Sequence, residues 1–146
     1  MIQAKRLLPL ALLYYAEGKE IEGRTRFQKL AFLADQKLEG EGIDPFEFYA
    51  YNYGPFDEGL YDSLDWLKRN NLVTSTEKPT YGGDVRYDYQ LTKKGEESVH
   101  NNVPLDKDME GLSGDEEEMR IIFNNAEEVI EEYSDLPISN LIKTVY

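Results

Sequence analysis

Three sets of residues in this 146-residue chain have types and spacings that could do chemistry. The first is cationic. Arg24, Arg26 and Lys29 open one helical pattern, while Lys68, Arg69, Lys78, Arg86, Lys93 and Lys94 cluster around the end of another and the alternating segments that follow it. Cations so placed can straddle phosphates and fix a duplex in register, leaving base readout to the helix between them. The second set is acidic. Glu58, Asp62, Asp65 and Trp66 fall on the face of that helix opposite Leu60, Leu64 and Leu67. One carboxylate can accept from cytosine N4, but three beside phosphates repel them. Trp66 beside Arg69 is a pairing favoured at protein interfaces; the competing reading tucks Trp66 against the C-terminal helices. The third set is DKDMEGLSGDEE (106–117). Asp106, Asp108, Glu110, Gly111 and Glu117 imitate a calcium loop, but Glu at the fifth place, Ser113 where an apolar residue belongs, and Pro104 ahead of it favour an acidic linker. No metal site is assigned.

Catalytic constellations are weaker still. The chain has no cysteine, which excludes disulfides, zinc–thiolate sites and thiol nucleophiles. His100 is its one histidine and falls at a helix end. YGGD (81–84) lacks the Lys-Ser/Thr of a phosphate loop. The eleven tyrosines read as core-edge packing, and FYAYNY (48–53) could stack bases but has no adjacent cations. The reading is of a protein that is not an enzyme and carries no cofactor.

The elements that position these residues follow from periodicity. AKRLLPLALLYYA (4–16) is apolar enough to imitate a signal peptide, yet Tyr14 and Tyr15 stand where small cleavage-site residues belong, and the run is too short to span a membrane. It reads as a buried helix of a cytoplasmic protein. A second helix over 24–39 places Phe27, Leu30, Ala31, Ala34 and Leu38 on one face; Phe32 and Leu33 lie off it, as in a central helix. FEFYAYN (46–52) alternates as an extended segment, and Pro55 suits the first turn of the helix carrying Leu60, Leu64 and Leu67, which Asn70 and Asn71 end. LVTST (72–76) and VRYDYQL (85–91) flank a Pro/Gly loop and predict a hairpin with one covered face, Val85, Tyr87, Tyr89 and Leu91. Thr92 can cap a short helix, and Ser113 with Glu116 a long one. A last helix begins near Pro137, and the chain stops inside it at LIKTVY (141–146) with no cap.

This order predicts an α+β, mainly α, winged helix-turn-helix with a two-stranded wing and additional C-terminal helices: a winged-helix domain over 1–100, an acidic linker over 101–114, and a helical extension over 115–146 for packing or dimerisation. The stripe Met119, Ile122, Phe123, Ala126, Ile130 and Tyr133 has a near-coiled-coil spacing, so it packs on its own domain or, as two-fold operators favour, pairs two subunits in a homodimer. Net charge is −13, with 13 basic against 17 acidic residues up to position 100 and 3 against 12 beyond it. That excess argues against non-specific nucleic-acid binding. It fits a solvated acidic helix, a salty cytoplasm or a surface for a basic partner.

LYDSLDWLKRNNLV…YGGDVRYDYQLTKKGEE (60–97) resembles the recognition-helix-and-wing half of the PadR-like and MarR-like regulators, with Tyr89, Leu91, Thr92 and Gly95 supplying the closing motif. FQKLAFLAD (27–35), YGPF (53–56) and LIKTVY are similar to the YwgA-like proteins and the Panacea (SocA-like) antitoxin domain, over most of residues 24–146. The resemblance implies an antitoxin or regulator without catalytic activity. Residues and resemblance together predict a small winged-helix transcription regulator that binds double-stranded DNA. The alternative is an antitoxin-like or adaptor module that captures a protein, such as a toxin, on its acidic and aromatic surface.

Overall fold

The computed structural model describes residues 3–51 and 54–145. The first helix, α1 (Ala4–Tyr15), buries every residue from Leu7 to Leu13. A helix apolar on all sides must be surrounded, and α1 packs against α2 (Arg24–Glu39), α3 (Gly59–Arg69) and α5 (Gly114–Tyr133). Pro9 lies inside it and removes one rung of its hydrogen-bond ladder. The central position expected for α2 is shared with α1: α2 touches α1, α5, the last helix and strands of both sheets, and Leu33, off its main stripe, is also buried. On α2 the predicted stripe of Phe27, Leu30, Ala31, Ala34 and Leu38 is buried, and so are the polar Gln28 and Asp35 beside it.

Three antiparallel strands form a small sheet in the order β1 (Ile21–Glu22), β5 (Val85–Leu91), β4 (Val73–Pro79). The hairpin predicted over 72–91 is this β4–β5 pair, in register from Val73↔Leu91 to Pro79↔Val85. Its expected single covered face is corrected. Tyr89 is buried as predicted, but Asp88, on the opposite row, is also wholly buried, while Val85 is exposed. β1 occupies the edge of β5 at Ile21↔Tyr89 and Glu22↔Asp88, and the Gly23 N–H with the Arg86 and Lys78 side chains encloses the Asp88 carboxylate.

The extended segment near 46–52 contains β2 (Tyr49–Tyr51), and a partner absent from the sequence reading, β3 (Gly54–Phe56), pairs with it. Asn52 and Tyr53 lie outside the described residues. Pro55 is not in the first turn of α3: it sits on β3, opposite Ala50, and α3 starts at Gly59. The side chain of Asp57 takes up the Gly59 N–H at 2.7 Å, a cap that the Pro55 reading had no need of.

Beyond the sheet, Thr92 caps α4 (Lys93–Asn102), accepting from the Gly95 N–H. After a turn at Met109–Gly111, Ser113 and Glu116 form the predicted capping box of α5. In the acidic linker Arg120 donates to the Pro104 carbonyl at 2.9 Å and to that of Lys107, while Lys107 pairs with Glu116. A final helix, α6 (Ile138–Val145), buries Leu141; Tyr146 lies outside the described residues.

Met119, Ile122, Phe123, Ala126, Val129 and Ile130 are buried in the same chain, where α1 and α2 cover α5, and Tyr133 is half-buried beside them. Of the two roles open to this stripe, packing on its own domain is the one observed, and its use as a dimer seam is corrected. One hydrophobic core runs from Leu7 to Leu141, joining elements on both sides of the linker. The fold is α+β and mainly helical.

Candidate interaction surface

Leu60, Leu64 and Leu67 are wholly buried, which fixes the rotation of α3. The opposite face then carries Glu58, Asp62, Asp65 and Arg69, all exposed and spaced along one stripe. Among the described residues no ion pair involves Glu58, Asp62 or Asp65. Asp62 near the N-terminus of α3, and Lys68 and Arg69 near its C-terminus, also suit the helix's own dipole. Trp66 does not project as a free anchor but packs against the hydrophobic core. It is half-buried, with the Arg6 guanidinium of α1 4.2 Å from its ring centroid.

The predicted phosphate-binding cations are separated by their surroundings. Arg24, Arg26 and Arg86 line one groove of about 480 Å³ between the start of α2 and the hairpin, together with Glu22 and Asp84. Each already has protein partners. Arg24 lies between the rings of Tyr61 (4.6 Å) and Tyr87 (4.1 Å) and donates to the Tyr89 hydroxyl at 3.1 Å. Arg26 donates to the carbonyls of Ser134 (3.1 Å) and Leu136 (2.7 Å), fastening the α5–α6 connection to α2. Arg86 chelates Asp88 through two bonds of 2.9 and 3.0 Å and faces Glu22 at 3.8 Å. Lys78 reaches Asp88 (3.0 Å) and Glu20 (3.3 Å). Lys29 is corrected as a phosphate contact: it is only 3% exposed, and burial pulls its amine down to about 8.

Four cations remain at the surface. Lys68 and Arg69 end α3, and Lys93 and Lys94 begin α4. Hydrogen bonds hold these ends together: the Thr92 hydroxyl donates to the Asn71 carbonyl (2.6 Å), its N–H to that of Leu72 (3.0 Å), and Lys94 Nζ to that of Asn70 (3.1 Å). The outer surface of this half is thus acidic along α3 and basic where α3 meets α4.

No family model matches the chain. Over 69 residues it is 35% identical to a beta-glucanase of Fibrobacter succinogenes (strain ATCC 19169 / S85). That stretch is 47% of this chain, which spans 20% of the length of the curated relative it matches. Among the described residues Asp35, Glu39 and Asp44 have carboxylate oxygens all within 4.8 Å of one another, and they do not line the α2–hairpin groove.

Several residues that organise this surface were not singled out by sequence. Asp88 receives the Gly23 N–H (3.0 Å) as well as Arg86 and Lys78. Burial alone would raise its carboxyl, but the bonds from Arg86 and Lys78 outweigh that and hold it below the usual range. Gln28, within the Gln-Lys-Leu motif, is buried and clasps the Asp57 backbone in both directions, at 2.9 and 3.1 Å. Asp35 accepts the Phe46 N–H at 3.3 Å. Burial first, and the charge of Asp44 second, push its carboxyl up to about 7. The available signal was a polar residue interrupting an apolar face, at Gln28 and Asp35; Asp88 gave none, because alternation placed it outward.

Proposed function

We propose that this chain is a cytoplasmic, winged-helix-type protein-interaction module, antitoxin-like or adaptor-like, that binds a basic partner on the acidic stripe of α3. The winged-helix assignment draws support from the succession α1, β1, α2, α3, β4, β5, with the β2–β3 pair inserted between α2 and α3, and from the strand order β1-β5-β4. In a winged helix α3 is the helix that meets the major groove. The observation that carries the reading is the charge at that place. Glu58, Asp62 and Asp65 are exposed and in no ion pair among the described residues, while Arg24, Arg26, Lys78 and Arg86 have partners inside the chain. Carboxylates there repel a duplex and attract lysines and arginines. The likeness to the Panacea antitoxins points the same way. A partial match to one fifth of a glucanase does not support an enzymatic reading.

A DNA-binding regulator is the second reading, favoured by the exposed cations Lys68, Arg69, Lys93 and Lys94 where α3 meets α4. The two readings predict opposite signs for one variant. Asp62→Asn/Asp65→Asn should reduce recovery of a specific basic protein from the source cells by affinity capture, and leave fluorescence anisotropy with duplex DNA near background at low salt. If the same variant instead tightens DNA binding, and Lys68→Ala weakens it with a salt slope smaller by about one counterion, the regulator reading replaces the first.

A further inference from the structure

A cavity of about 370 Å³ lies on the side of α4 that faces α1 and α5. Its walls are Leu7 and Leu10 of α1, Val99 and Val103 at the end of α4, and Met119 of α5, none of them more than 9% exposed. Interiors normally pack without voids larger than a water molecule, because a lining that faces empty space forfeits its dispersion contacts. A recess of this size with core side chains for walls has the dimensions of a small-molecule site.

The mouth is polar, and its hydrogen-bonding sense can be read. Asn102 donates its amide to the Ser98 carbonyl (2.8 Å) and hydroxyl oxygen (3.4 Å), which leaves its own carbonyl oxygen as an acceptor. Asp115 stands across from it in the first turn of α5, exposed and in no ion pair among the described residues. A carboxylate only accepts. The occupant that satisfies such a rim has a donor at one end and hydrocarbon at the other.

We propose that this cavity between α1, α4 and α5 binds a small molecule with an apolar body and a hydrogen-bond-donating end, a primary amine or alcohol. The site is separate from the acidic stripe of α3, and its occupancy does not depend on that reading. The test titrates benzylamine, toluene and benzoate into protein carrying ¹³C-labelled Leu, Val and Met methyls. Benzylamine should shift the methyls of Leu7, Leu10, Val99, Val103 and Met119 saturably, toluene should do so more weakly, and benzoate least. Asp115→Asn should weaken benzylamine by about two- to fivefold, the range of an exposed charge pair. Ser98→Tyr places a ring over the half-buried mouth without entering the core and should abolish all three responses. The proposal is overturned if no probe moves these methyls at about 10 mM, well within reach of a ligand of about eight non-hydrogen atoms. It is equally overturned if benzoate or toluene matches benzylamine, or if Ser98→Tyr leaves the shifts intact.

Discussion

Replacing Asp88 tests the account of the hairpin most directly. Asp88→Ala removes one of the two acceptors of the Gly23 N–H, which keeps the Tyr87 carbonyl at 3.0 Å, a loss of about 0.5–1.5 kcal/mol, the net value of one hydrogen bond. Arg86 and Lys78 also lose their shared partner, but their side chains are 40% and 39% exposed and can turn to water. Lys78 therefore adds little, and Arg86 contributes only the value of a surface pair, about 0.2–1 kcal/mol. The expected destabilisation is about 1–2.5 kcal/mol, or a fall in Tm of about 3–10 °C for a chain of this length. Asp88→Asn keeps an oxygen for Gly23 and loses only the charge, so it should fall between wild type and Ala. Acid supplies the second readout. The Asp88 carboxyl is held below its unfolded value, so its contribution is complete above the usual carboxylate range and disappears as pH falls through the lower folded value. Urea titrations of the three proteins from neutral pH down to about pH 2.5 should converge as Asp88 is protonated. An Ala variant within 0.5 kcal/mol of wild type at neutral pH, roughly the scatter of ordinary surface changes, would refute the reasoning.

Other parts of the fold make equally definite predictions. Asp35 has the opposite sign: its folded carboxyl is raised to about 7, so its stabilising effect is full below the unfolded value of about 4 and is lost as pH rises towards 7. Asp35→Asn should flatten that loss in denaturant titrations between pH 4 and 8, and an unchanged profile would show that Asp35 ionises normally. A Cβ at Gly95 would lie 2.2 Å from the Leu72 carbonyl oxygen and 2.7 Å from Leu91, so Gly95→Ala should cost about 3 kcal/mol or more, measured by urea midpoint. Phe123→Ala removes one of the largest fully buried side chains and should cost about 3–5 kcal/mol; a loss below 1 kcal/mol would mean that α5 is not seated on α1.

What could be read from sequence was the local pattern. The 24–39 helix, the 72–91 hairpin, the Thr92 cap and the Ser113–Glu116 box follow from periodicity and capping chemistry confined to a few neighbouring residues, and all are present. What failed were judgements about partners distant in the chain. Asp88 looked outward until the Gly23 N–H, 65 residues earlier, and the Arg86 and Lys78 side chains closed around it. Arg26 looked like a phosphate ligand until the end of α5 supplied two carbonyls, more than 100 residues away. Pro55 satisfied a helix-start rule, and no local rule announced the strand that pairs with β2. Charge type is visible in a sequence, but what neutralises a charge is decided by the tertiary fold.

The burial of α1 on all sides has a consequence for how the chain is made. During synthesis α2 and α3 can cover part of α1 early, but the face that receives Phe123 and Ala126 waits for α5, roughly 110 residues after Leu13. At ribosomal rates of about 5–20 residues per second that face stays wet for about 5–20 s. A leucine-rich helix exposed for so long is a substrate for holdases and proteases before it is part of a core. Completion of α5 therefore competes with capture of the unfinished chain.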